Sequence, residues 1–365
     1  MSYRAPIVSK FENPPPGESE IIAEIRDRIE RQLERDLRAA QKKDPKALML
    51  RDQHAKHHGC VEATFEIRTD IPKAYQQGIF QPGRKYQAWI RFSNGGPMRQ
   101  DDRKADGRGM AIKVMGVPGK KLLEGIFTES LYSREEKDAQ DFILLNHPVH
   151  FVPDLKTYSV FTRLTHRRSL LLSSMFFLSW PRLAAIVWNI LKKKMYNPLH
   201  VTYHSMTPYL LGQDQAVKFS AVPVSVDDGL PIPDTPGPRS SRDYLREAMA
   251  RSLDPASGRA ARFDLRAHVR KDENLPIEDP TVLWPEEGAP KLSLATITIE
   301  PQEFQSEERI RFSEALSFSP WHTVPEHQPL GGINRARLAI YQSISELRHK
   351  TNKMPAIDPA ARASS

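Results

Sequence analysis

The N-terminal part of the chain has an amphipathic pattern with helical spacing. From Glu18 to about Lys43, isoleucine and leucine recur every three or four residues with charged residues between them, at Ile21, Ile22, Ile25, Ile29, Leu33 and Leu37. Positions three and four apart share one face of an α-helix, so this spacing predicts an amphipathic helix. We interpret residues 1–44 as an N-terminal arm that includes this helix.

After the arm, the period of the pattern changes to two. Apolar and polar residues alternate at 61–67 and 86–92, and further strand candidates occur at 109–115, 216–222 and 292–299. Alternation predicts strands with one buried face. A helix is expected at about 242–252, a long polar loop at 222–240 and a disordered tail at 351–365. Because the strands do not alternate regularly with helices, the pattern favours an antiparallel sheet or barrel with added helices.

One segment is apolar enough to suggest contact with a membrane. Residues 169–191 are flanked by two arginines and three lysines, and Pro181 divides them into apolar runs of about 12 and 9 residues. Neither run reaches the roughly 20 residues that span a bilayer. Two buried helices around the proline are the first interpretation. A pair of interfacial helices that contact lipid is the alternative.

Composition and charge narrow the class of protein. The 365 residues are 39% hydrophobic and 27% charged, which is typical of a globular chain. The net charge of +8 comes from basic residues scattered among acidic ones, so we expect no nucleic-acid partner. A single cysteine, Cys60, excludes an internal disulfide framework, and the N-terminus lacks an apolar signal region. These features favour a cytoplasmic protein, with membrane association as the alternative.

A pair of residues near the C-terminal end suggests metal chemistry. Arg337 and Tyr341 are four positions apart, so they lie on one face if the segment is helical. A free tyrosine titrates near pH ~10 and is normally a poor anionic ligand. A neighbouring guanidinium would stabilise the phenolate, which could then bind iron. The ordinary alternative is a solvated helix face with an aromatic side chain packed beside it.

Several motifs, taken together and in this order, resemble the catalase family. They cover roughly residues 45–350, and they are His54-Ala-Lys56, Arg91-Phe-Ser93, Asp106-Gly-Arg108-Gly-Met-Ala-Ile-Lys113, Phe151-Val-Pro-Asp154, Val282-Leu-Trp-Pro285, Leu316-Ser-Phe-Ser-Pro320 and Arg337-x-x-x-Tyr341. The resemblance implies an α+β fold in which an antiparallel barrel of eight strands is surrounded by helices and a long wrapping segment. Residues 45–350 would form a haem-binding domain.

The resemblance also implies a role for individual residues. Tyr341 would be the axial ligand to the iron of haem b, a ligation typical of catalases, and Arg337 would keep it ionised. The haem propionates would be bound by three arginines, Arg51, Arg91 and Arg348. His54 would be the distal acid–base residue and Ser93 would orient it. Phe151 would lie near the haem.

The chain also departs from the family pattern. Catalases carry a distal asparagine in an Asn-Asn-Thr-Pro run, and the stretch 137–141 offers only Asp138 or Gln140 in its place. The resemblance therefore favours a hydroperoxidase that acts on H2O2 or organic hydroperoxides over efficient dismutation. A fatty-acid hydroperoxide isomerase or lyase and a non-catalytic haem carrier or sensor are the alternatives. Further expected partners are a lipid surface at 169–191 and a second copy of the chain, bound through the N-terminal arm.

Overall fold

A computed structural model of the chain describes residues 8–125, 138–165, 176–224, 241–257, 259–354, 357 and 359. Residues 225–240 of the expected polar loop, most of the expected disordered tail and residues 169–175 of the apolar segment lie outside the described residues. Within the described part, no helix is both long enough and apolar enough to cross a bilayer.

In the part of the chain that the structure describes, nine antiparallel strands make a single sheet that closes on itself. They are β1 (His57–Ile67), β2 (Lys85–Asn94), β3 (Arg108–Val114), β4 (Gln140–Leu145), β5 (Tyr203–His204), β6 (Tyr209–Leu210), β7 (Ala216–Val224), β8 (Ala261–Val269) and β9 (Lys291–Ile299). Each strand pairs with its neighbour in the order β5-β4-β3-β2-β1-β9-β8-β7-β6, and β5 also pairs with β7. Eight strands therefore close into an antiparallel barrel, and the short β6 pairs with the start of β7 beyond the β5 pairing. This confirms the expected α+β barrel.

Alternation places one side chain in two inside the barrel. On β2, for example, Ala88, Ile90 and Phe92 belong to the main apolar core. The side chains of the alternate residues point to the outer face, because successive side chains of a strand point in opposite directions. These residues are Trp89, Arg91 and Ser93. The helices pack outside the barrel, and they are α1 (Glu18–Gln41), α2 (Leu155–Thr165), α3 (Pro181–Leu191), α4 (Tyr244–Ser252), α5 (Glu307–Ala315) and α6 (Gly332–Asn352).

The amphipathic helix expected in the N-terminal arm is α1. Its buried side chains, Ile22, Ile25, Ile29 and Leu33, form a second apolar core with α2 and α6. The arm is also attached by charge. Arg335 at the start of α6 is 1% exposed and contacts the carboxylates of Glu12, Glu18 and Glu278, with N–O distances of 2.5, 2.6 and 3.0 Å. The described part of the arm thus packs on the chain's own α6.

Candidate functional site

The candidate site lies on the outer face of the barrel, where β2, β3 and β4 run side by side. Strand register places Ser93, Gly109 and Leu145 opposite one another, and places Arg91, Ala111 and Ile143 in the adjacent row. Directly opposed residues of antiparallel strands point to the same face of the sheet. Ala111, Ile143 and Leu145 are half-buried, although nearly all their neighbours on these strands are fully buried. This part of the barrel wall is therefore an apolar, partly open surface.

His54 stands over this surface just before β1. Its Nδ1 is 2.9 Å from the Ser93 hydroxyl, which is the hydrogen bond that the resemblance implies. Its backbone nitrogen donates to Gly95 O, and its carbonyl accepts from Arg91. These bonds hold His54 at a φ of 59°, a left-handed conformation that side-chain-bearing residues rarely adopt. The imidazole is thus fixed by contacts on several sides.

The absence of a side chain at Gly109 makes room for His54. A Cβ placed on Gly109 would lie 2.5 Å from both Cε1 and Nδ1 of the imidazole, and 3.1 Å from the Ser93 hydroxyl. Burial, together with the charge of Arg91, lowers the pKa of His54 to about 4. The ring is therefore neutral at pH 7 and can accept a proton.

The three arginines expected to bind propionates come together at one end of this surface. Arg51 donates to the carbonyls of Ser313, Glu314 and Leu316, and Arg348 donates to the carbonyl of Glu314 at 2.5 Å. These carbonyls lie at the C-terminal end of α5, where the helix dipole is negative and favours cations. The end of α5 thus brings Arg51 of the segment before β1 beside Arg348 of α6.

Burial and mutual repulsion change the pKa values in the arginine cluster. Burial, followed by the charge of Arg51, lowers the pKa of Arg91 to about 9, and burial likewise lowers the pKa of Arg348. Glu314 is the nearby acid. Burial alone would raise the pKa of Glu314, but Arg91 and Arg51 lower it to about 2. Arg91 Nε is buried and has no hydrogen-bond partner among the described residues. Among the described residues, the charge of Glu314 acts on Arg91 and Arg348, and clustered guanidiniums of this kind are suited to bind anionic oxygens.

The helix α6 supplies the opposite side of the site. Arg337, Tyr341 and Arg348 are separated by four and seven residues, so they share one face of the helix. The charge of Arg337 contributes to the lowered pKa of His54, which places its guanidinium within electrostatic reach of the imidazole. Arg337 donates to Thr207 and Asn334, and within the described residues nothing is hydrogen-bonded to the half-buried Tyr341. Its contact with Arg337 therefore remains a prediction.

Phe151 lies where the chain leaves β4 and enters α2. Its ring stacks on His150 with the centroids 4.8 Å apart, and it meets the edge of Phe161 at 4.9 Å. Burial, followed by the charge of Arg337, lowers the pKa of His150 to about 3. Phe151 thus packs with other aromatic rings beside α6, and the position near a haem that the resemblance implies stays a prediction.

The structure corrects the expected position of the distal polar residue. Gln140 pairs with Val114, at the far end of β3 from Gly109 and His54. Five residues of strand correspond to about 17 Å, so neither Gln140 nor Asp138 lies beside the imidazole. The residue opposite Gly109 is Leu145. An apolar side chain therefore occupies the wall next to His54.

Asn146 follows Leu145, and the sequence interpretation missed it. The run Asn146-His147-Pro148 has the asparagine–proline spacing of the family motif, which was the available signal. Its side-chain oxygen accepts from Arg108 N at 2.8 Å, and its backbone nitrogen donates to Arg108 O at 2.9 Å. Asn146 thus fastens the end of β4 to the start of β3. Glu314 and Leu145 were also missed, because neither belongs to a motif and both are placed by tertiary contacts.

Comparisons with known proteins agree with this architecture. No protein-family model matches the chain, and no curated protein is similar to it in sequence. The solved structures that match include a fungal catalase, a bacterial catalase and catalase A from Saccharomyces cerevisiae. Their identities are 18%, 16% and 17% and their TM-scores 0.61, 0.62 and 0.63, over 87%, 98% and 88% of this chain. The matches cover only 64%, 66% and 66% of those chains, which are longer. The chain has a catalase-like fold.

Proposed function

We propose that this catalase-fold protein binds haem b through Tyr341 and cleaves the O–O bond of H2O2 or organic hydroperoxides with His54 as its acid–base residue. The observation that best supports the proposal is the neutral imidazole of His54, which bonds to Ser93 beside the half-buried apolar face of β3 and β4 and lies near the charge of Arg91. Fold similarity by itself does not assign an activity.

The residues present fit a planar dianionic cofactor. Gly109, Ala111, Leu145 and Ile143 offer a low apolar surface for one face of a macrocycle. Tyr341 would be the ligand to the iron. Arg51, Arg91 and Arg348 would bind the two propionates. Within the described residues no group of three or more histidine, cysteine, aspartate or glutamate side chains could bind a bare metal ion.

The proton chemistry follows from the environment of His54. Haem would supply the two electrons that break the peroxide O–O bond. When Nδ1–H donates to the Ser93 hydroxyl, Nε2 carries the lone pair and faces the crevice. Nε2 takes the proton from the peroxide oxygen that lies nearer the cofactor and returns it to the other oxygen, which departs as water or as an alcohol. Such a positioned group typically contributes about 10²–10⁴-fold in rate.

The apolar wall favours organic hydroperoxides over dismutation. Leu145 offers no hydrogen bond to a second small peroxide, whereas it can contact the hydrocarbon part of a larger one. We therefore infer that H2O2 is decomposed slowly and that organic hydroperoxides are reduced at a higher rate. A hydroperoxide isomerase or lyase would use the same residues without an external reductant.

Haem titration of matched variants tests the proposal. Tyr341→Phe should weaken haem retention and shift the ferric spectrum, whereas Tyr158→Phe, which changes a nearby tyrosine on α2, should do neither. His54→Ala should retain haem and react with peroxide about 10²–10⁴-fold more slowly in stopped-flow measurements. An unchanged spectrum for Tyr341→Phe would overturn the ligand assignment. A protein that retains haem and turns over no hydroperoxide would instead support the carrier alternative.

A further inference from the structure

Basic residues occur throughout this chain, but their excess over acidic residues falls in one segment. Between Asp154 and Asp214 there is no acidic residue and there are eight lysines and arginines, which leaves 45 basic and 45 acidic residues in the rest of the chain. The whole net charge of +8 therefore resides in residues 155–213. A domain that is neutral elsewhere and cationic on one segment is directed towards an anionic surface.

The same segment carries the most exposed large apolar side chains of the described residues. Leu178 is 81% exposed and Trp188 is 68% exposed, while the next most exposed, Leu283, is 57% exposed. Trp188 lies on the outer side of α3, since the inner side is made by the buried residues Leu183, Ile186 and Ile190. Exposed Arg182, Lys192 and Lys194 lie at the two ends of α3. An apolar face with tryptophan and flanking cations is typical of helices that lie in a membrane interface.

The inner side of α3 packs on the wall of the candidate site. Ile186 and Ile190 form an apolar cluster with Val149, and Phe151 packs against it. A Cβ placed on Gly107 would lie 3.4 Å from Ile190 and 3.5 Å from Leu145, so both side chains surround this glycine beside the site. Lys193 also donates to the carbonyl of Asn146 at 2.9 Å. The face with Trp188 is thus separated from Leu145 by one helix.

Aromatic rings continue from the site wall towards this face. Phe151 meets Phe161 at 4.9 Å, Phe161 meets Phe176 at 5.5 Å, and Phe176 meets Trp180 at 4.6 Å. Trp180 is half-buried and lies between the exposed Leu178 and the start of α3. Apolar contact is therefore continuous from the surface to Phe151, which suits a substrate with a hydrocarbon chain better than a small hydrophilic peroxide.

We propose that the protein docks on anionic lipid bilayers through Leu178, Trp188 and the basic ends of α3, and that its substrates are hydroperoxides of bilayer acyl chains. The substrate part rests on the proposed haem-dependent function, and the docking part does not. Charge complementarity selects an anionic bilayer as the occupant of this face, because each lysine or arginine near such a surface strengthens binding about fivefold. Trp188 and Leu178 would enter the interface between headgroups and acyl chains.

Vesicle co-sedimentation of the holoprotein tests docking without turnover. Wild type should sediment with vesicles of equimolar phosphatidylcholine and phosphatidylglycerol, less with phosphatidylcholine alone, and less at high salt. Leu178→Ser with Trp188→Ser should reduce partitioning by at least about tenfold, and Lys192→Glu with Lys194→Glu by at least about twentyfold at low salt. The matched controls are Leu48→Ser with Leu283→Ser, and Lys42→Glu with Lys43→Glu, which change exposed residues elsewhere.

Substrate assays separate the two parts of the proposal. The docking variants should consume a phospholipid hydroperoxide in vesicles more slowly than wild type and a soluble organic hydroperoxide at the wild-type rate. A wild type that stays in the supernatant, or controls that lose as much binding as the docking variants, would overturn docking. A protein that binds vesicles and consumes neither hydroperoxide would retain docking and overturn the proposed function.

Discussion

Gly109→Ala should displace His54 without touching any proposed haem ligand. The new Cβ would lie 2.5 Å from two atoms of the imidazole, whereas carbon atoms in contact are normally about 3.5–4.0 Å apart. The Ser93 hydroxyl is 3.1 Å from the same point, so the ring and its hydrogen-bond partner are both crowded. The imidazole has to move by about 1 Å. A displacement of this size typically costs on the order of 10²-fold in rate.

Gly107→Ala is the matched control for this substitution. It adds the same methyl group two residues earlier, where the nearest side-chain atom would lie at 3.4 Å, and neither glycine has a left-handed backbone. Stopped-flow reaction of the haem-loaded variants with an organic hydroperoxide measures the effect, and a haem titration checks that both variants still bind the cofactor. If Gly109→Ala reacted as fast as Gly107→Ala, the acid–base role of His54 would be wrong.

Three further predictions concern stability. Arg335→Met leaves the carboxylates of Glu12, Glu18 and Glu278 facing one another without a cation. It should lower the free energy of unfolding in urea by about 3–5 kcal/mol and make the arm accessible to protease. Arg311→Met, which removes an exposed ion pair with Glu307, should do neither. Lys113→Met leaves the buried carboxylate of Asp141 without its lysine partner and should lower the free energy of unfolding by about 3–5 kcal/mol. The double variant Lys113→Met with Asp141→Asn should restore part of this loss in the same urea titration. Burial lowers the pKa to about 3 for His57 and His150 and to about 4 for His322 and His327, so below pH 6.5 the unfolded chain binds more protons than the folded one. As the pH falls from 6.5 towards 4, each histidine should therefore lower the free energy of unfolding by up to about 1.4 kcal/mol per pH unit. Unfolding followed by circular dichroism measures this loss, and a stability that does not change with pH in this range would contradict the burial of these histidines.

Periodicity along the sequence was sufficient where an element is long and has one buried face. The predicted helix at 18–43 and the strands around 61–67 and 86–92 agree with α1, β1 and β2 to within a few residues. β5 and β6 have two residues each, which is too short for a period to be visible. Strand β8 does alternate in its burial, and its pattern was overlooked.

Site residues could be predicted when a local motif carries them. His54 and Ser93 come from separate motifs, yet pairing of β1 with β2 brings them within 2.9 Å. The distal position could not be found in this way, since the connection between β3 and β4 is long and spacing along the sequence does not fix the register of such a pair. Only the pairing of Gly109 with Leu145 shows which residue faces the imidazole.

The end of β4 connects the chemistry of the site with the inferred lipid surface. Leu145 forms the wall opposite Gly109, Asn146 ties that wall to β3 and accepts a bond from Lys193, and Phe151 receives the inner side of α3. A polar residue at 145 would favour small peroxides and would gain nothing from the apolar path behind it. The apolar Leu145 in the site wall and the exposed Trp188 on the outer side of α3 are both consistent with a substrate that carries a hydrocarbon chain. Leu145→Asn should therefore raise the ratio of H2O2 turnover to organic hydroperoxide turnover and leave vesicle binding unchanged. An unaltered ratio would show that Leu145 does not determine the substrate preference.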